Sequence, residues 1–199
     1  MRAFRFRPIP FVATVLLVAL GVSLGQWQDR RAAGKIAVQE QIDAGAHAAP
    51  LGLGAAPVDA ANAEHRKVTA TGEFVGSWPI LLDNRPQEGK GPGFYLLMPL
   101  RLAGTDTHVL VARGWLPRPV GAAGLKPAFD TPNGTVTVSG VARGALGKVM
   151  QLGSAPPVQP GAILQNIEVA QFAQASGLKL QPFFIEQTDP VQPGEQLVR

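Results

Sequence analysis

The residues of this sequence best equipped for chemistry are cations and indoles, and what such groups do is bind. Trp27, Arg31 and Lys35 recur at intervals of four, which puts an indole, a guanidinium and an ammonium on one face of a helix. Arg113, Gly114 and Trp115 stand together at the end of an apolar run, and Arg85 opens a stretch rich in turn residues. Bond-making chemistry finds less to work with. The three histidines, His47, His65 and His108, show no His-x-x-x-His spacing, and a zinc site wants three or four convergent ligands, so each reads as a surface or core histidine. No Gly-x-Ser-x-Gly elbow occurs, and Ser77 and Ser154 sit in turn-like contexts. Asp83, Asp106, Asp130 and Asp189 are isolated in or beside turns, where aspartate commonly bonds to backbone amides. Gly89-Lys90-Gly91-Pro92-Gly93 is glycine-rich, but no helix follows to offer its amides to a phosphate. No cysteine is present, which removes disulfide, thiolate and Cys-metal chemistry. No catalytic residue and no metal site is expected.

The elements that would position these groups begin with a membrane segment. Pro8 to Gln28 is a run of 21 uncharged residues. At about 1.5 Å per residue it spans roughly 30 Å, the hydrocarbon thickness of a bilayer. A cleaved signal peptide ending near Ser23-Leu24-Gly25 is the rival reading, and the length favours a retained anchor. Arg2, Arg5 and Arg7 precede the run with no acid to offset them, which places the N-terminus in the cytoplasm and the rest of the chain outside, in the periplasm for a bacterium. These three also account for most of the net charge of +4, leaving 15 basic against 14 acidic residues in the body. Without a clustered basic face, nucleic acid is set aside as a partner.

After the membrane, residues 26–44 keep helix-tolerant types and break at Gly45, so residues 1–44 form the anchor and its extension. Residues 45–63, rich in Ala, Gly and Pro, are expected to be a loose linker to a β-rich domain over 64–199. Arg66 to Phe74 alternates with Val68, Ala70, Gly72 and Phe74 on one face, the period of a half-buried strand. Apolar runs at Trp78–Asp83, Phe94–Leu102, Thr107–Trp115 and Gln181–Gln187, with the alternating Thr135–Val141, supply further strands. Ala103-Gly104-Thr105-Asp106 reads as a hairpin connection, and Asn84 to Gly93, with two prolines and three glycines, as a mobile loop. Asn166 is placed as N-cap of a short helix ending at Ser176 before Gly177, with Val169, Phe172 and Ala173 buried. The predicted architecture is a membrane-anchored α+β chain: a transmembrane helix, then a mainly antiparallel sheet or small barrel with one or two short helices.

In order along the chain, these pieces resemble the Surfeit locus protein one family of cytochrome c oxidase assembly factors. Gly25-Gln26-Trp27-Gln28 with Arg31 and Lys35 is similar to that family's Gly-x-Trp-Gln-x-x-Arg-x-x-x-Lys after its first membrane helix. Arg66, Val68, Gly72 and Phe74 match its first strand; Arg85 and Gly93 to Leu100 follow. The most specific stretch, Val109 to Pro117, resembles its Leu-Val-Asn-Arg-Gly-Trp-Val-Pro, and Val138–Arg143 and Pro182–Ile185 continue the series. Leu164 and Glu168 depart from a family Trp and Asp.

What the resemblance implies is a non-enzymatic assembly factor in the cell inner membrane with a periplasmic domain. It would assist haem a insertion into the oxidase large subunit or steady an intermediate of it, with the bilayer and oxidase subunits as partners and haem a as a transient cofactor at most. Trp27, Arg31 and Lys35 would lie at the lipid headgroups or touch the oxidase or the haem propionates; Arg113, Gly114 and Trp115 would either shape a strand end or meet a partner. Arg85 is expected to be solvated if it is not a contact. In the family a second membrane helix, opened by a His tied to haem a in some bacterial members, follows the Leu-x-Arg resembled by Leu197-Val198-Arg199, so that ligand role maps onto no residue of this sequence. A generic membrane-tethered β binding module or chaperone is the alternative.

Overall fold

Helix α1 (Pro8–His47) opens the computed structural model, which describes residues 7–87, 89–119, 126–151, 153–191 and 195–198. Arg2, Arg5 and Arg199 lie outside the described residues. The chain divides into two units, Met1–Ala44 and Gly45–Arg199.

In the first unit α1 is apolar all round over its N-terminal half, and Leu16, Leu17 and Val18 are 64%, 68% and 60% exposed. A helix hydrophobic on every side needs an apolar surrounding, and this one is long and apolar enough to cross a membrane. It runs three residues past Ala44, ending just beyond the break expected at Gly45.

The second unit is built from β1 (Leu51–Gly52), α2 (Ala60–Ala63), β2 (Lys67–Phe74), β3 (Ile80–Gln87), β4 (Gly91–Leu102), β5 (Thr107–Pro117), β6 (Val136–Arg143), β7 (Ile163–Leu164), α3 (Val169–Ser176) and β8 (Lys179–Gln187). The pairings β2–β6, β6–β8, β8–β5 and β5–β4 close into a ring because β4 returns to β2 through Gly72↔Leu102, Glu73↔Arg101 and Phe74↔Leu100. This is a small five-stranded barrel, with β3 and then β7 added outside on β4 and β1 on β2. Parallel pairs occur at β1–β2, β3–β7 and β5–β8; the rest are antiparallel.

Alternation decides which side chains fill the barrel. Val68 and Ala70 of β2 meet Leu100, Val109, Val111, Val138, Phe183 and Ile185 inside. The intervening residues of β5 and β8, Leu110, Ala112 and Phe184, point the other way, against Phe172 of α3. With both faces covered, β5 is buried from Thr107 to Leu116, which is why its sequence reads as a continuous apolar run.

Closure depends on Gly72. A Cβ there would lie 2.0 Å from the carbonyl oxygen of Arg101 across the seam, so only glycine lets β4 approach β2. Gly72→Ala should lower domain stability by about 1–3 kcal/mol, read as a fall in the urea midpoint, through overpacking that no side-chain movement can relieve.

Three sequence expectations are corrected. Residues 45–63 are not a loose linker: α1 runs on to His47, β1 pairs with β2, Asp59 caps α2 by accepting from Ala61 N at 2.7 Å, and Leu51, Leu53 and Val58 pack on the barrel core. Of the stretch from Asn84 to Gly93 expected to be a mobile loop, residues 84–87 and 91–93 are instead strand, the end of the β3–β4 hairpin, with Arg85↔Gly93 and Pro86↔Pro92 in register after a bulge at Leu82/Arg85. Two prolines can exchange no N–H···O bond, so their pair sits at a register position that needs none. Helix α3 is capped by Glu168 with Gln171 as reciprocal partner, not by Asn166, whose amide is instead bonded both ways to the backbone of Val149 at 2.9 Å. Gly177 ends α3 as expected.

Candidate functional site

Arg113 owes its position to a bulge. Leu96 faces Gly114 and Leu97 faces Ala112, leaving Arg113 as the extra residue, and Gly114 takes a φ of 147° that favours glycine. The displaced guanidinium is 1% exposed. It donates to Asp130 O at 2.7 Å and to Glu195 Oε1 at 2.9 Å, and lies 4.8 Å from the Phe74 ring centroid.

Trp115, two residues on, is also buried, and its Nε1 donates to the backbone oxygen of Arg85 at 2.8 Å. Its own backbone exchanges two bonds with Val198, at 2.7 and 2.8 Å. Arg85 is buried rather than solvated, because its Nη1 donates to Leu146 O and Gly147 O and its Nη2 to Gln165 O, at 2.8–3.1 Å. Burial pulls this guanidinium below its ordinary pKa, while Tyr95 acts in the opposite direction. Arg85, Arg113 and Trp115 therefore fasten irregular segments to strands through bonds made within the fold. Of the predicted contact residues, the structure brings Arg85 and Trp115 together and turns Arg113 to a different neighbourhood, although one strand carries both Arg113 and Trp115.

Gly114 lies elsewhere again, on the wall of a cavity of about 730 Å³. Tyr95 of β4, Arg143 of β6, Glu186 and Gln187 of β8, and Glu64 and His65 after α2 line the same space. Four of these form a chain along its wall. Glu64 Oε1 lies 3.6 Å from His65 Nε2, Arg143 Nη1 is 2.7 Å from His65 Nδ1, and Arg143 Nε donates to Glu186 Oε2 at 3.0 Å. Arginine has no acceptor, so in this contact Arg143 Nη1 donates and His65 Nδ1 accepts. Burial, then the charge of Glu186, hold the Tyr95 phenol above its ordinary pKa, with Arg85 pulling the other way. Sequence reasoning missed this group because its members come from four distant segments with no common spacing. The one available signal was chemical, polar residues in strands otherwise rich in apolar ones.

On α1, Trp27 is half exposed and the Arg31 guanidinium lies 5.4 Å from its ring centroid, an i,i+4 cation–π pair. Lys35 continues the row one turn on. An indole flanked by cations just past an apolar span suits the headgroup layer.

A family model described as the SURF1 family matches residues 15–198. A SURF1-like protein of Monosiga brevicollis is 30% identical over 129 residues, 60% of this chain and 49% of that protein, so the chain spans about half the length of this curated relative. With its match reaching from the middle of the apolar helix to the Val198 strand bridge, the chain belongs to the SURF1 family.

Proposed function

We propose that this chain is a membrane-anchored assembly factor for cytochrome c oxidase, and that its barrel domain works by holding a partner rather than by making or breaking bonds. Membership of the SURF1 family over residues 15–198 is the observation that carries this reading. The apolar α1 supports an anchor in the cell inner membrane, with the N-terminus cytoplasmic and the barrel in the periplasm. To Trp27, Arg31 and Lys35 we assign contact with oxidase or a haem propionate beside the bilayer, a reading supported by the Arg31 guanidinium stacked 5.4 Å from the Trp27 ring, and haem a insertion into the large subunit is the step we assign. Deleting the gene should lower assembled oxidase and its haem a absorbance several-fold and leave other haem proteins intact. Unchanged oxidase overturns the proposal.

A further inference from the structure

The cavity beside β6 and β8 has a charge of definite sign. Among the described residues three carboxylates line it, Glu64, Glu186 and Asp189, against one guanidinium, Arg143, and one imidazole, His65. Arg143 is moreover committed on two sides, to Glu186 through Nε and to His65 through Nη1. The Arg85 guanidinium, bonded to Leu146 O and Gly147 O behind the wall, also acts on Tyr95, but the described carboxylates still outnumber the two guanidiniums, both of them engaged. Acceptors, in contrast, are in surplus. Glu186 Oε1 and the Tyr95 hydroxyl have no bond among the described residues, and Gln187 Oε1 is buried without a donor, its amide being oriented by donation to Asp189 Oδ2 at 3.3 Å. Leu146, Pro190 and Val191 give the wall an apolar part, with Gln87 and Thr188 also in the lining. Apolar walls with acceptors at one side complement a side chain that has a hydrocarbon stem and a cationic head.

From this geometry we propose that the cavity receives a lysine or arginine side chain of a partner polypeptide, its cationic head lying against Glu186 and the Tyr95 hydroxyl. The inference rests on the reading that the domain works by holding a partner, and it names the chemistry of the segment held. It also separates two surfaces by charge: the Trp27 row of α1 is basic, this cavity acidic.

The test is calorimetric titration of the full chain in detergent micelles with blocked Gly-Ala-Ala-Lys-Ala-Ala-Gly, with the same peptide carrying arginine, norleucine or glutamate in place of lysine, and with 1,5-diaminopentane. The lysine and arginine peptides should bind roughly tenfold or more tightly than the norleucine and glutamate ones. Glu186→Gln should remove most of that preference and leave norleucine binding unchanged; Tyr95→Phe should remove a smaller part and serves where Glu186→Gln fails to fold. Equal binding of lysine and norleucine, no binding of either cationic peptide, an unaltered preference in both variants, or diamine binding as tight as the lysine peptide would each overturn the proposal, the last because the site would then serve free amines. Loss of oxidase on gene deletion combined with no lysine preference rejects the cavity assignment and leaves the assembly role standing. Lysine preference with unchanged oxidase does the reverse.

Discussion

Arg113→Ala should lower the stability of the barrel domain by about 3–5 kcal/mol, the largest effect expected of any single charge removal in this chain. The reason is what remains behind. Glu195, 10% exposed, loses the guanidinium that neutralises it, and Asp130 O loses its donor. Arg113→Lys should recover only part of the loss, since an ammonium cannot reproduce the fork that reaches both groups. The double variant Arg113→Met with Glu195→Gln should be far milder than Arg113→Ala, because it removes the uncompensated charge along with its partner. Urea unfolding of the full chain followed by circular dichroism decides the matter. Equal losses in the single and double variants would mean that packing, not charge, holds this corner.

Trp115→Ala should cost a similar amount, about 3–5 kcal/mol, by opening a cavity where the indole packs. The site is tight: a Cβ on Gly93 would lie 2.4 Å from two atoms of the Trp115 ring. Trp115→Phe separates hydrogen bonding from volume. It keeps most of the ring but leaves Arg85 O buried without its donor, an expected loss of about 1–3 kcal/mol. Because that carbonyl belongs to the residue whose guanidinium ties down Leu146, Gly147 and Gln165, both variants should also make the 144–151 segment more sensitive to limited proteolysis. Proteolysis at the wild-type rate would show that the two ends of Arg85 act independently.

Much of the barrel was legible in the sequence where a single physical pattern governed many residues. Val68 and Ala70 alternate because one face of β2 is inside, Gly104 turns the β4–β5 hairpin, and Gly177 ends α3, all by local rules. What escaped was set by partners far away in sequence. Arg85 looks like a solvated loop residue until three carbonyls at 146, 147 and 165 gather around it, and nothing near position 85 encodes them. Asn166 is a sound N-cap by type, but Val149 takes its amide first and Glu168 inherits the role. Strand β1 and helix α2 have two and four residues, too few for a period to show, and they are held by packing of Leu53 and Val58 rather than by propensity. In the site, the Arg-Gly-Trp triplet was read as a strand end or a partner contact; it lies within β5, and its three residues serve three neighbourhoods: Arg113 the Glu195 corner, Gly114 the cavity wall and Trp115 the Arg85 carbonyl. A bulge does this, and a bulge cannot be read from one strand alone.

The proposed role requires that this chain hold an oxidase intermediate. Affinity purification of the tagged full chain from detergent-solubilised membranes, with the recovered material probed for the oxidase large subunit, tests it most directly. The large subunit should be enriched over an unrelated membrane protein bearing the same tag, and more strongly in cells blocked in oxidase maturation than in cells with finished enzyme. Recovery no greater than that control in both kinds of cell would contradict the account.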